Sequence, residues 1–260
     1  MSQFAIFLDI DNTMTAPGVG VPERVKRALN AARTLGHKVF INTGRAYFYI
    51  PWDILKGIDL DGIICGLGSY ISYGSDVMRN RIVDPGLVEE KVLYFTNRNT
   101  LCVIEGVTGI FQYGTQEGVV RSIPQIAPGM TVKEAASRIG VSKISIMRPI
   151  TEEETLALKP LEVYIHDHYS ETHFPGCDKG EAMLSLIASL GIPRQCCIAF
   201  GDSFNDSEML KAAGHAVVVG NGRKEVKALA EFVAPPSSES GVADGLIHYI
   251  PEIEPLLEEN

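Results

Sequence analysis

The chain of 260 residues is 45% apolar, 21% charged and 8% aromatic, with 23 Lys plus Arg against 32 Asp plus Glu and a formal net charge of −9. That is the make-up of a soluble globular protein long enough to bury its own core, in one large domain or two modest ones. The acidic surplus argues against nucleic acid or membrane surfaces as partners, since both call for basic patches, and no apolar run reaches the roughly 18 residues of a membrane span.

From the N-terminus, Phe4 to Leu8 is a short apolar run ending abruptly in Asp9-Ile10-Asp11-Asn12-Thr13, the pattern of a buried strand entering a polar loop. This start lacks a basic leader region, and Asp9 and Asp11 interrupt it, so it does not read as a signal peptide. A helix opens at Pro22-Glu23, carries Val25, Ala28, Leu29 and Ala32 at helical spacing, and closes at Gly36. Lys38 to Ile41 repeats the apolar strand and ends in Asn42-Thr43-Gly44-Arg45, which completes a parallel βαβ pattern.

Between about Ile82 and His173 the chain reads differently. Short alternating segments (Leu101 to Glu105, Ile110 to Tyr113, Lys143 to Met147, Glu162 to His166) lie among two or three helices, an α+β pattern. Gly and Pro cluster at its borders, Asp84-Pro85-Gly86 and Pro175-Gly176, as at a two-strand hinge. His166-Asp167-His168 with His173 has the look of a metal cluster, but alternation puts His166 and His168 on one strand face near a hinge, where solvated polar residues are expected. Trp52, with Tyr47, Phe48 and Tyr49, reads as core or inter-domain packing rather than a stacking platform. The first pattern then returns: a helix from Lys179 to Leu190, a strand from Cys197 to Phe200 and the polar run Gly201-Asp202-Ser203-Phe204-Asn205-Asp206. A strand from Ala216 to Val219, a helix from Val226 to Ala230 and a strand from Phe232 to Ala234 follow, and after Pro235-Pro236 comes an acidic tail.

The expected fold is therefore α/β: a Rossmann-like doubly wound parallel-sheet core built from residues 1–82 and 174–260, with residues 83–173 inserted as an α+β cap. The five cysteines are odd in number and lack C-x-x-C spacing, so reduced thiols and a cytoplasmic location are expected rather than a disulfide frame or zinc site.

In parallel α/β sheets ligands bind beyond the carboxyl ends of the strands, where these polar runs fall. Asp9-x-Asp11 alone is weak, since an acidic turn or a helix cap has the same look. The ordered set is specific: Asp9-x-Asp11-Asn12-Thr13, Thr43-Gly44-Arg45, Lys179-Gly180 and Gly201-Asp202-x-x-Asn205-Asp206. It resembles the four motifs of the haloacid dehalogenase superfamily. With the cap position and the tail motifs Val219-Gly220-Asn221-Gly222 and Gly241-Val242-Ala243, the chain is similar to the Cof-type sugar-phosphatase branch, cap type IIB.

The resemblance implies a phosphatase in which Asp9 is the nucleophile and Asp11 the general acid and base, with Asp9, Asp202 and the Asp11 carbonyl as ligands of Mg²⁺. The physics agrees. A phosphate monoester dianion repels an anionic nucleophile, so a carboxylate attacks phosphorus only if a cation neutralises both, and a hard oxygen-seeking ion suits such ligands. Asp11 must then begin protonated, which asks for seclusion from water and a raised pKa. Thr43 and the amide of Gly44 can donate to phosphoryl oxygens, Lys179 adds positive charge at a helix start, Asn205 can donate to phosphate, and Asp206 can orient Lys179 or a metal-bound water. Arg45 is a further candidate for substrate contact.

Two positions depart from the family pattern. Asn12 stands where Gly is usual, though Asn tolerates left-handed backbone, and Gly66-Leu67-Gly68-Ser69 replaces a common Asn-Gly-Ala, which bears on substrate contacts. The expected partner is a small phosphorylated metabolite, a sugar phosphate above all, reached by a mobile cap, with the protein a monomer or weak homo-oligomer. The alternatives are a phosphosugar mutase and a non-catalytic sugar-phosphate sensor.

Overall fold

The computed structural model describes residues 3–16, 18–114 and 120–258. In chain order its strands are β1 (Ala5–Leu8), β2 (Lys38–Asn42), β3 (Gly62–Cys65), β4 (Tyr70–Tyr73), β5 (Asp76–Asn80), β6 (Cys102–Gly106), β7 (Ile110–Tyr113), β8 (Val141–Ile146), β9 (Glu162–Ile165), β10 (Ser170–His173), β11 (Cys197–Gly201), β12 (His215–Val219) and β13 (Phe232–Ala234). The helices are α1 (Glu23–Thr34), α2 (Trp52–Leu55), α3 (Pro85–Thr96), α4 (Val132–Ile139), α5 (Glu152–Ala157), α6 (Lys179–Ser189), α7 (Ser207–Ala212), α8 (Lys224–Lys227), α9 (Gly241–Tyr249) and α10 (Ile253–Glu258). The chain divides into two compact units, one made of Met1–Gly44, Pro51–Met78 and Asp178–Asn260, the other of Arg45–Ile50 and Arg79–Cys177. No helix among the described residues is long and apolar enough to cross a membrane.

The first unit is built on a sheet of order β13-β12-β11-β1-β2-β3-β4-β5. β1 pairs in parallel with both β11 and β2, and its residues Ala5 to Leu8 are fully buried, as a central strand covered on both faces requires. The chain proceeds from β1 through β2 and β3 on one side, while β11, β12 and β13 extend the other, so the order reverses between β1 and β11. Ligands collect beyond such a switch point. On one face Phe7, Phe40 and Ile64 pack with Met183 and Leu186 of α6 and Met209 of α7.

The segment after Pro235-Pro236, expected as an acidic tail, forms α9 and α10 instead. Val242, Ala243 and Leu246 recur at helical spacing and are fully buried, as is Ile253, and both helices pack against α1. Burial of these residues outweighs the acidic composition around them.

The second unit has a five-stranded sheet of order β7-β6-β8-β10-β9, its β6–β7, β6–β8, β8–β10 and β9–β10 pairs antiparallel. Val88, Val92 and Phe95 of α3 and Ala135 and Ala136 of α4 cover Ile104, Ile144 and Ile146. Thr131 with Glu134, and Thr151 with Glu154, close capping boxes at the starts of α4 and α5. By strand alternation Lys143 faces away from those helices, lying 2.8 Å from Glu171 and 3.3 Å from Glu105. Burial alone would raise the Glu171 carboxyl, but Lys143 and His166 hold it well below the ordinary range. His166, expected as a solvated residue, is instead engaged, its Nε2 with Glu171 at 2.9 Å, and His173 Nδ1 meets the Cys177 carbonyl at 2.8 Å. Phe48 and Trp52, expected to pack, are 52% and 43% exposed.

Candidate active site

β1 delivers Asp9 in extended conformation (φ −70°, ψ 154°) at the mouth of a tight turn over Ile10–Met14. The turn needs a left-handed residue, and Asn12 supplies it at φ 60° and ψ −1°. Asn is among the few side-chain-bearing residues that adopt this conformation readily, so its replacement of Gly leaves the turn intact. The turn is tied down twice. Thr13 Oγ1 donates to Asp202 Oδ1 at 3.0 Å, and Asn221 Nδ2 donates to the Asn12 carbonyl at 2.7 Å.

β11 ends at Gly201 and hands over to Asp202. A Cβ on Gly201 would lie 2.6 Å from the Cβ of Asp206, so only glycine lets these two segments approach. Asp206 Oδ2 accepts from the amides of Asp202 and Ser203, each at 3.0 Å, while its Oδ1 accepts from Lys179 Nζ at 2.6 Å. Lys179 opens α6, which Asp178 caps by accepting from the amides of Gly180 and Glu181. From there its ammonium also reaches Asp9 Oδ1 at 2.5 Å.

Loops that follow β1 and β11, together with the start of α6, thus bring Asp9, Lys179, Asp202 and Asp206 into one buried cluster. The three aspartates offer oxygens within 4.8 Å of one another. Burial lifts the Asp9 carboxyl well above its ordinary value; Lys179 pulls it down, and Asp206, Asp202 and Asp11 push it up. Asp202 is raised to about 7, first by burial and then by Asp206, with the Thr13 bond and Lys179 opposing. Burial would lower the ammonium of Lys179, but Asp206 and Asp9 outweigh it and hold the group charged. Three carboxylates therefore face one resident cation, and the raised carboxyls mark a site short of positive charge. Asp206 spends both oxygens on Lys179 and on amides. Asp9 and Asp202 are the oxygens left for a hard divalent ion such as Mg²⁺, so the donor set fits it.

The remaining sequence candidates divide. Thr43 is buried directly after β2, its amide donating to the Ile64 carbonyl at 2.9 Å, with Gly44 partly exposed next to it. Asn205 follows β11 and accepts from Ser203 Oγ at 2.9 Å. Asp11 is exposed, and its side chain is not in the aspartate cluster, so the expected seclusion is absent. One residue beyond the buried Ile10, it turns outward with the left-handed turn. Arg45 belongs to the second unit, where its guanidinium lies over the Tyr49 ring at 5.0 Å and donates to the Tyr49 carbonyl at 3.0 Å. Thr13, Asn42 and Asn221 brace the site; they stand within the motif runs of the sequence, but a single polar residue beside a motif carries no signal of the bond it makes.

Comparison with known proteins gives this geometry its context. The chain is 31% identical to a phosphoglycolate phosphatase of Methanothermobacter thermautotrophicus over 95% of its own length and 98% of that protein. It is 24% identical to the 5-amino-6-(5-phospho-D-ribitylamino)uracil phosphatase YitU of Bacillus subtilis over 95% and 97%. Among solved structures, the haloacid dehalogenase subclass IIB sugar phosphatase BT4131 superposes with a TM-score of 0.80 at 25% identity, over 95% of this chain and 99% of that one. The family model for haloacid dehalogenase-like hydrolases matches residues 6–246, so the chain belongs to that family.

Proposed function

We propose that this hydrolase removes phosphate from small phosphate monoesters, sugar phosphates above all, with Mg²⁺ as cofactor and a covalent aspartyl-phosphate on Asp9. The observation that carries the reading is the buried Asp9–Lys179–Asp206–Asp202 cluster beyond the carboxyl ends of the central strands. Asp9 and Asp202, with the Asp11 carbonyl, would hold the ion. When bound, Mg²⁺ supplies positive charge that keeps the Asp9 carboxylate ionised and offsets the charge of the phosphoryl group.

The protein's own groups divide the work. Asp9 attacks phosphorus with one carboxylate oxygen, and the P–O bond to the leaving alcohol breaks. Asp11, exposed at the mouth of the turn, donates the proton that the departing alkoxide needs, then takes a proton from the water that attacks the phosphoryl group and frees Asp9. Lys179, the Thr43 hydroxyl, the Gly44 amide and the Asn205 carboxamide stabilise the phosphoryl oxygens. Asp206 keeps Lys179 in place. Asp11 is exposed in the resting site, so the bound ester would supply its seclusion from water.

We further propose that the inserted segment, residues 83–173, reads the organic part of the substrate, with Arg45 as a candidate contact. The relatives support this: they align along nearly the whole chain, yet their names carry a two-carbon acid in one case and a ribitylamino-uracil in the other. The test is a panel of phosphorylated metabolites assayed for orthophosphate with Mg²⁺ and without any bisphosphate activator. Release of orthophosphate supports the phosphatase. Migration of the phosphoryl group on the sugar without release would establish a mutase, and no reaction with any ester would leave a sensor.

A further inference from the structure

Asn42 is the last residue of β2, one position beyond the parallel pair Leu8–Ile41 and one before Thr43. In register it stands beside Asp9, and by strand alternation both face the side of the sheet that α6 and α7 cover. It is fully buried. Its Nδ2 donates to the Lys179 carbonyl at 2.9 Å and lies 3.1 Å from Met209 Sδ, and its Oδ1 has no hydrogen-bond partner among the described residues. The Lys179 carbonyl settles which way the carboxamide faces, because an acceptor there can only be met by the amide nitrogen.

A buried carboxamide with an unmet oxygen is a poor choice for stability. Leucine, similar in size, would join Phe40, Ile64 and Met209 and carry no unmet polar atom of its own, at the loss of the bond to the Lys179 carbonyl. What asparagine alone provides is a grip on the main chain of Lys179, the first residue of α6. The height of that residue along the sheet decides where its ammonium meets Asp9 and Asp206. Since Thr43 follows Asn42 directly, one side chain sets the spacing between a hydroxyl donor on the β2 loop and the buried ammonium on α6.

We infer that Asn42 is a positioning residue which registers Lys179 against Asp9 and Thr43 at the expense of fold stability. The inference rests on the phosphatase reading for its kinetic consequence, but not for its structural one. The experiment compares the full-length wild type with Asn42→Leu and Asn42→Ser, whose hydroxyl is too short to span to the Lys179 carbonyl. Three measurements are made: melting temperature, Mg²⁺-dependent hydrolysis of p-nitrophenyl phosphate, and the ¹⁵N-edited NMR signal of the Lys179 ammonium, assigned with Lys179→Arg. The Leu variant is expected to melt at or above the wild-type temperature. Its kcat should be lower by about tenfold or more, with KM within about threefold, as small misplacements of catalytic groups cost rate before binding. The Lys179 signal should shift or broaden in both variants.

A folded Leu variant with wild-type kcat, or a Ser variant with wild-type kcat if the Leu variant does not fold, overturns the inference. So does an unmoved Lys179 signal, whatever the turnover. Absence of turnover in the wild type is a different failure. It removes the phosphatase reading and leaves the NMR comparison to decide the role of Asn42.

Discussion

The ammonium of Lys179 lies 2.5 Å from Asp9 Oδ1 and 2.6 Å from Asp206 Oδ1, a buried cation shared by two aspartates that come from opposite ends of the chain. Lys179 is fully buried and Asp206 likewise. A cation so placed cannot be removed cheaply, because the carboxylates left behind have neither water nor counterion. Lys179→Met should abolish turnover and destabilise the protein by about 3–5 kcal/mol, the usual cost of breaking a buried pair. Urea unfolding measures this, and millimolar Mg²⁺ should restore part of the loss by serving the orphaned Asp9.

Asp11 tests the acid-base role. Asp11→Asn leaves the Asp9–Lys179–Asp206 bonds in place and takes away a neighbouring negative charge that raises Asp9 and Asp202. The fold and the affinity for substrate should therefore be kept while kcat falls by about 10² to 10⁴. Steady-state kinetics on an ester with a poor leaving group decides it. A variant keeping more than about a tenth of the wild-type rate contradicts general acid catalysis by this residue.

In the metal-free protein the sign of the pH dependence follows from the raised carboxyls. Asp202 titrates near 7, and Asp9 is raised well above the ordinary range, so the native state holds protons that the unfolded chain has released. Stability is then greatest below the ordinary carboxylate pKa and falls as pH rises from about 4 towards 7. Thermal melts in EDTA should show this decline. Saturating Mg²⁺ should flatten it, and so in part should Asp202→Asn.

The second unit carries the opposite dependence. Glu154 is held at about 2 by Arg148, and Glu171 well below its ordinary range against the pull of burial. Both contribute stability that is complete above the ordinary glutamate pKa and is lost as pH falls through their lowered values. Lys143→Met removes the partner of two buried carboxylates, Glu105 and Glu171. It should destabilise this unit by about 3–5 kcal/mol and move the titration of Glu171 upward, as ¹³C NMR of the carboxyl carbons would show.

Much of this was legible in the sequence, for identifiable reasons. β1, β2 and β11 are unbroken apolar runs that stop at Asp9, Thr43 and Asp202, and the change from apolar to polar marks both the strand and its chemical end. β10 was overlooked because Ser170-Glu171-Thr172-His173 is wholly polar; it becomes a strand through its ladder with β9 and through the Lys143–Glu171 pair. The hairpin β4–β5 has an exposed edge in Asp76–Asn80, with no alternation to betray it. α9 and α10 were hidden by acidic composition, although Val242 and Leu246 fall at helical spacing. In the site, the motif residues declared themselves by type and order. Asn42 and Asn221 act through bonds to main-chain carbonyls distant in sequence, which only the folded structure brings within reach.

The central claim is that Asp9 becomes phosphorylated. Rapid acid quench of the wild-type enzyme during turnover of a ³²P-labelled phosphate ester in Mg²⁺, followed by peptide mapping, tests it most directly. The label should appear on the peptide bearing Asp9, disappear on longer reaction, and be absent with EDTA or with Asp9→Asn. Orthophosphate release without label on Asp9, or with label on another residue, would contradict the mechanism.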